Sequence, residues 1–150
     1  MAIAAQPFER HITYRIERAG DGVLILTATL NDRFHDIAVE IRAHPHTLAV
    51  LAARADFRRY PCLDCPDAAT GMQKLVGLVI GKGLNKALNA ALGGATGCGN
   101  LRTLLAGLLP LALNARAAAG CQNEEEAQRL IHEQLVGTCA GYAKPPAHKP

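Results

Sequence analysis

The hydrophobic period changes once along this chain, and that change sets what it can fold into. In Arg10-His11-Ile12-Thr13-Tyr14-Arg15-Ile16-Glu17-Arg18 the apolar positions 12, 14 and 16 alternate with polar ones. A period of two puts one face of a strand in a core and the other in water. Ala19-Gly20-Asp21-Gly22 supplies a hairpin turn. Val23 to Leu30 follows as a more apolar, more central strand, and His35 to Arg42 alternates again through Ile37, Val39 and Ile41. Ala43-His44-Pro45-His46 turns the chain. Thr47 to Ala53 is a candidate fourth strand, against the poor strand propensity of its alanines. Short connections make an antiparallel meander the economical arrangement.

From Asp67 the period lengthens. Met72, Leu75, Val76 and Val79 fall at helical spacing, which predicts a helix over about 68–80 with a break at Gly81-Lys82-Gly83. Leu84, Ala87, Leu88, Ala91 and Leu92 predict the return helix. Asn100 is the expected N-cap of a long apolar helix from Leu101, broken at Pro110, and Asn123 caps a helix whose first turn holds Glu124, Glu125 and Glu126. The fold class is therefore α+β: an N-terminal antiparallel sheet of three to four strands packed against C-terminal helices. One domain is expected over residues 1–142, with a disordered tail over 143–150.

Composition narrows the function classes. The 150 residues, 49% apolar and 19% charged, suit one globular core. A net charge of +3, spread thinly, gives no reason to expect nucleic acid. The longest apolar run, Leu104 to Leu113, holds Gly107 and Pro110 and falls short of the roughly 18 residues of a membrane span. No membrane association is expected. The N-terminus carries no signal-peptide pattern, so the expected address is cytoplasmic. Cysteines 62, 65, 98, 121 and 139 are then read as thiols or ligands. Residues 61–120 carry five basic and two acidic side chains, too few to solvate three helices. A homodimer or a hetero-partner through the C-terminal helices is expected.

Two segments carry candidate chemistry, each with a plainer structural explanation. Cys62-Leu63-Asp64-Cys65 is a CxxC, whose thiols can share a metal or a redox bond. Without a second CxxC, further metal ligands would come from Cys98, from a histidine such as His35, His44 or His46, or from a second chain. The plainer reading is two small thiols in a strand-to-helix turn. Gly93-Gly94-Ala95-Thr96-Gly97-Cys98-Gly99-Asn100 leaves amides uncovered ahead of a helix. There Gly97, Gly99 and Asn100 could hold an anion and Cys98 could act as nucleophile or ligand. The plainer reading is a tight turn that needs glycine. Gly77 to Gly83 lacks the spacing of a phosphate loop, and His44-Pro45-His46 and Arg58-Arg59-Tyr60 are better explained as turn and solvated patch.

His35-Asp36, Pro61-Cys62, Leu75-Val76-Gly77-Leu78 with Gly81 and Gly83, and Gly97-Cys98-Gly99-Asn100-Leu101 follow one another along residues 8–115. As an ordered set they resemble a bacterial family known as domain of unknown function 2889. That family has a His-Asp pair, a Pro-x-Cys segment, a Leu-x-Gly-Leu helix with a trailing glycine and a Gly-Cys-Thr-His-Leu box. The resemblance implies the α+β fold and singles out His35, Cys62 and Cys98, without naming a reaction. Asn100 stands where the family box has histidine, so any metal or acid–base role of that histidine is absent or altered here, and Cys65 is a candidate replacement ligand.

The leading expectation is a metal- or ligand-binding accessory protein with a site from Cys62, Cys65, Cys98 and His35, holding zinc or an iron–sulfur cluster. The alternatives are an enzyme, or a small enzyme subunit, using Cys98 on a small anionic substrate such as a carboxylate or phosphate ester, and a structural subunit docking through apolar helices.

Overall fold

Alternation in the first sixty residues does build a meander. The computed structural model describes residues 2–147. Strands β1 (Arg10–Arg18), β2 (Leu24–Asp32), β3 (Asp36–Ala43) and β4 (Val50–Arg59) form one antiparallel sheet in the order β1-β2-β3-β4. Four helices follow: α1 (Leu84–Leu92), α2 (Gly99–Leu108), α3 (Leu111–Ala117) and α4 (Glu124–Leu135). The architecture is α+β. The chain divides into two compact units, Met1–Ala112 and Leu113–Pro150.

In the first unit the helical layer covers one face of the sheet. Leu24, Leu26 and Leu30 of β2 and Ile37 and Ile41 of β3 meet Met72, Leu75, Leu92, Leu101, Leu104 and Leu105, all less than 2% exposed. Each such side chain contributes about 1.5–3 kcal/mol over leaving it in water. Helix α2 lies over β1 and β2, while a 3-10 helix, Cys65–Leu75, lies against β4 and α1. A Cβ on Gly107 would collide with the Tyr14 phenol, so glycine at that position lets α2 settle onto edge strand β1. The low charge of 61–120 is met on α2 by burial inside this core, where Leu101, Leu104, Leu105 and Leu108 are fully buried.

Two expectations change. β4 runs on to Arg59 because Phe57 pairs with Ile37 and Arg59 with Asp36, and one of its alanines suits a close neighbour: Ala53 is buried and its carbonyl accepts from Gln73 Nε2 at 3.2 Å. The helix expected over 68–80 is instead the 3-10 helix followed by extended chain. Val50 N–H donates to Leu78 C=O at 2.8 Å, and Ile80 N–H to Leu48 C=O at 3.0 Å. In the 3-10 helix the buried residues fall as two i, i+3 pairs, Ala68 with Gly71 and Met72 with Leu75, and the turn after it places Gly77 at φ +89. Val76 and Val79, assigned by period to the buried face, are 45% and 56% exposed.

The remaining boundaries follow local chemistry. α2 ends at Leu108, just ahead of Pro110. Asn123 caps α4 by accepting from Glu126 N–H at 2.9 Å, and the Glu126 carboxylate accepts from Gln122 N–H at 2.9 Å. Of the expected tail, 148–150 lie outside the described residues, whereas the Lys144 carbonyl sits 2.7 Å from His132 Nε2. No helix among the described residues is long and apolar enough to cross a membrane.

Candidate functional site

The alternation that buries Leu24, Leu26, Ala28 and Leu30 carries Asp32 onto the same face, where its side chain is fully buried. Asp32 also begins the β2–β3 turn. Its N–H bonds the His35 carbonyl at 2.9 Å, and its Oδ1 accepts from the Phe34 and His35 amides, each at 2.8 Å. An aspartate that caps amides two and three residues ahead is the standard way to close such a turn. The same Oδ1 lies 3.0 Å from His35 Nδ1. Because an ionised carboxylate only accepts, Nδ1 carries the proton and Nε2 is the free ring nitrogen.

Opposite Asp32 in the register stands Arg10 of β1. Its Nε donates to Asp32 Oδ2 at 2.8 Å and its Nη2 lies at the same distance. Its Nη1 donates to Asn100 Oδ1 of α2 at 3.0 Å, tying together residues ninety apart in sequence. From β4, Arg59 Nη2 donates to the Asp32 carbonyl at 2.6 Å and the His35 carbonyl at 3.1 Å, clamping the turn. Burial by itself pushes the Asp32 carboxyl up. The Phe34 amide, the His35 ring, Arg10 and the His35 amide outweigh it and hold the group well below the usual carboxylate range. Asp32 is thus a fixed anion that orients one imidazole and one guanidinium. The His35 side chain is 18% exposed and that of Arg10 33%, so both reach the surface.

The residues singled out from sequence are distributed differently. His35 is in the cluster, and Asn100 joins it as the partner of Arg10 rather than as a helix cap. The N-cap of α2 is Cys98, half-buried, with no side-chain capping bond. Gly97 and Gly99 flank it. A Cβ on Gly97 would collide with the Leu92 carbonyl, to which the Cys98 amide also donates at 2.9 Å, so glycine here serves the tight turn after α1. Cys62 is exposed and Cys65 half-buried in a turn closed by Cys65 N–H on Cys62 C=O at 3.0 Å. Among the described residues no three His, Cys, Asp or Glu side chains group so as to hold a metal ion, so Cys62, Cys65, Cys98 and His35 are not brought together as one. His44 Nδ1 accepts from the His46 and Thr47 amides at 3.2 and 3.1 Å, a turn-forming role.

Arg10 and Asp32 were not among the candidates, though their phase marks both, and Arg59 figured only as part of a solvated basic patch. Arg10 shares the core-facing parity of Ile12, Tyr14 and Ile16, and Asp32 that of Leu26 and Leu30. A charged residue in the apolar phase of a strand marks a charge that must be paired, as Arg10 is with the buried Asp32. The phase of Arg59 gave no hint of its clamp, since that role depends on the carbonyls of a turn elsewhere.

This cluster lies within the segment that comparison with known proteins recognises. A family model described as a protein of unknown function, DUF2889, matches residues 8–114, more than two thirds of the chain. No curated protein and no solved structure matches the chain. With Arg10, Asp32, His35, Arg59 and Asn100 all inside the matched span, the chain belongs to the DUF2889 family.

Proposed function

We propose that this protein binds a small anionic molecule, a carboxylate or a phosphate ester, at the cluster of Arg10, His35 and Asn100 organised by Asp32. The observation that carries the reading is the buried Asp32 carboxylate, whose two oxygens are both engaged by donors: the amides of Phe34 and His35, the His35 ring and Arg10. With that carboxylate engaged, the groups left toward a ligand are donors. They are the remaining N–H groups of Arg10, the amide NH2 of Asn100 and, when protonated, Nε2 of His35. The reading keeps the ligand-binding half of the sequence expectation, places it away from the cysteines and sets the metal half aside. A cytoplasmic address, in keeping with five free thiols, is part of it.

An enzymatic version is favoured by one feature. A carboxylate on Nδ1 fixes the tautomer in which neutral His35 presents Nε2 as a base, the arrangement general acid–base catalysis uses. His35 would then take a proton from a bound substrate whose charge Arg10 holds. Cys98, at the N-cap two residues before Asn100, is the nucleophile of the alternative mechanism.

The test follows the His35 ring nitrogens by nuclear magnetic resonance during titration with inorganic phosphate and with acetate, using exposed His11 as the control for ionic strength. A saturable shift at His35 alone, weakened in Asn100→Ala, is expected. Shifts that grow in parallel at His11 and His35 without saturating would overturn the reading.

A further inference from the structure

The chain has three phenylalanines and no tryptophan, and two of those three are exposed and adjoin residues of this cluster in the chain. Phe8 is 55% exposed and Phe34 45%, and their rings stack at 5.8 Å with planes 28° apart. Phe34 immediately precedes His35 in the turn, and Phe8 is two residues before Arg10. The segment leading to Phe8 is fastened to the same turn, since Arg33 Nη2 donates to Gln6 Oε1 at 3.2 Å and to the Pro7 carbonyl at 3.3 Å. An aromatic pair therefore stands at the turn whose next residue is the oriented imidazole.

Burial explains most apolar side chains of the first unit, and this pair is among the exceptions. A lone exposed aromatic is ordinary; a stacked pair formed by the residue before His35 and the residue two before Arg10 puts two chemistries on adjoining stretches of chain. Ring faces recognise planar apolar bodies by stacking, and donors recognise carboxylate or phosphate oxygens. We infer that the ligand of this site is an aromatic acid, with a planar ring against Phe8 and Phe34 and an anionic group toward Arg10, His35 and Asn100. The inference rests on the anion-binding reading above and adds the chemical class of the molecule's body.

The probes are benzoate and acetate, which share a carboxylate and differ in the ring. Both are titrated into the full chain while the His35 ring nitrogens and the Phe8 and Phe34 ring protons are followed. Benzoate should bind more tightly than acetate, and Phe34→Ala should weaken benzoate by about fivefold, from the usual strength of an aromatic pair, with acetate unchanged. Both phenylalanines are about half exposed, so their truncation leaves the core intact. Phe34→Leu, which keeps apolar bulk without a ring face, should fall with the alanine variant. Equal affinity for benzoate and acetate, with His35 responding to both, would overturn the aromatic inference and leave anion binding standing. No response of His35 to either probe would overturn both. A benzoate response confined to the phenylalanine rings would separate the pair from the cluster and overturn the inference as well.

Discussion

Two carboxylates on opposite faces of the same sheet are both held by arginine, and they do different work. Asp32 faces the helices, fully buried, and is satisfied by the amides and imidazole of its own turn and by a guanidinium from β1, two separate stretches of chain. Glu40 faces water on β3, its side chain 23% exposed, and is met by Arg54 across the strand at 2.8 Å and by Arg42 at 3.4 Å. Glu40 also titrates below its ordinary value, chiefly through the Arg54 hydrogen bond. On the open face water would replace either partner at little cost, whereas nothing described replaces the partners of Asp32. The difference between an ion pair that decorates a fold and one that organises a site is burial with several donors on one acceptor.

The contrast can be broken first at Asp32. Asp32→Ala leaves Arg10, His35 and two turn amides without their acceptor and should cost about 3 kcal/mol in urea unfolding, the usual price of opening a buried pair. Glu40→Gln should cost less than about 1 kcal/mol. Equal losses would erase the distinction.

Acid sharpens it. Because the folded protein holds Asp32 below its unfolded value, its contribution is complete above about pH 4 and is lost as the pH falls further. Asp32→Asn should flatten that acid limb in a series of melting curves more than Glu40→Gln does. An unchanged limb would assign acid sensitivity to other carboxylates.

A smaller effect is expected at the tie to the helix. Asn100→Ala removes one exposed hydrogen bond from Arg10 and should lower stability by about 0.5 kcal/mol while weakening phosphate at His35. A loss as large as that of Asp32→Ala would make α2, not the turn, the anchor of the cluster.

The smallest effect belongs to the cysteine turn. Cys62→Ser should change stability by less than about 0.5 kcal/mol, as surface substitutions do. In alkylation of the native chain, exposed Cys62 and Cys139 should react before half-buried Cys65, Cys98 and Cys121. Cys98 reacting first would return attention to the start of α2.

Residue pattern alone was enough for the meander, the helical second half, the break at Pro110 and the cap at Asn123. Each depends on period or on a side chain acting within a few residues of its own backbone. The same local reasoning misplaced a helix over 68–80, because i, i+3 apolar pairs occur in either helix type and the contacts of this segment with α1 and β4 are long-range. It also favoured the CxxC, a motif visible as a string, over a cluster assembled from residues 10, 32, 35, 59 and 100. His35 was legible because it lies in a short motif, and Arg10 and Asp32 were legible in phase. Their pairing was decided by the β1–β2 register, the clamp of Arg59 by where β4 ends, and the part of Asn100 by the docking of α2 onto the sheet. Those are long-range choices made by burying leucines. The polar groups of the site then had to find partners wherever that packing left them.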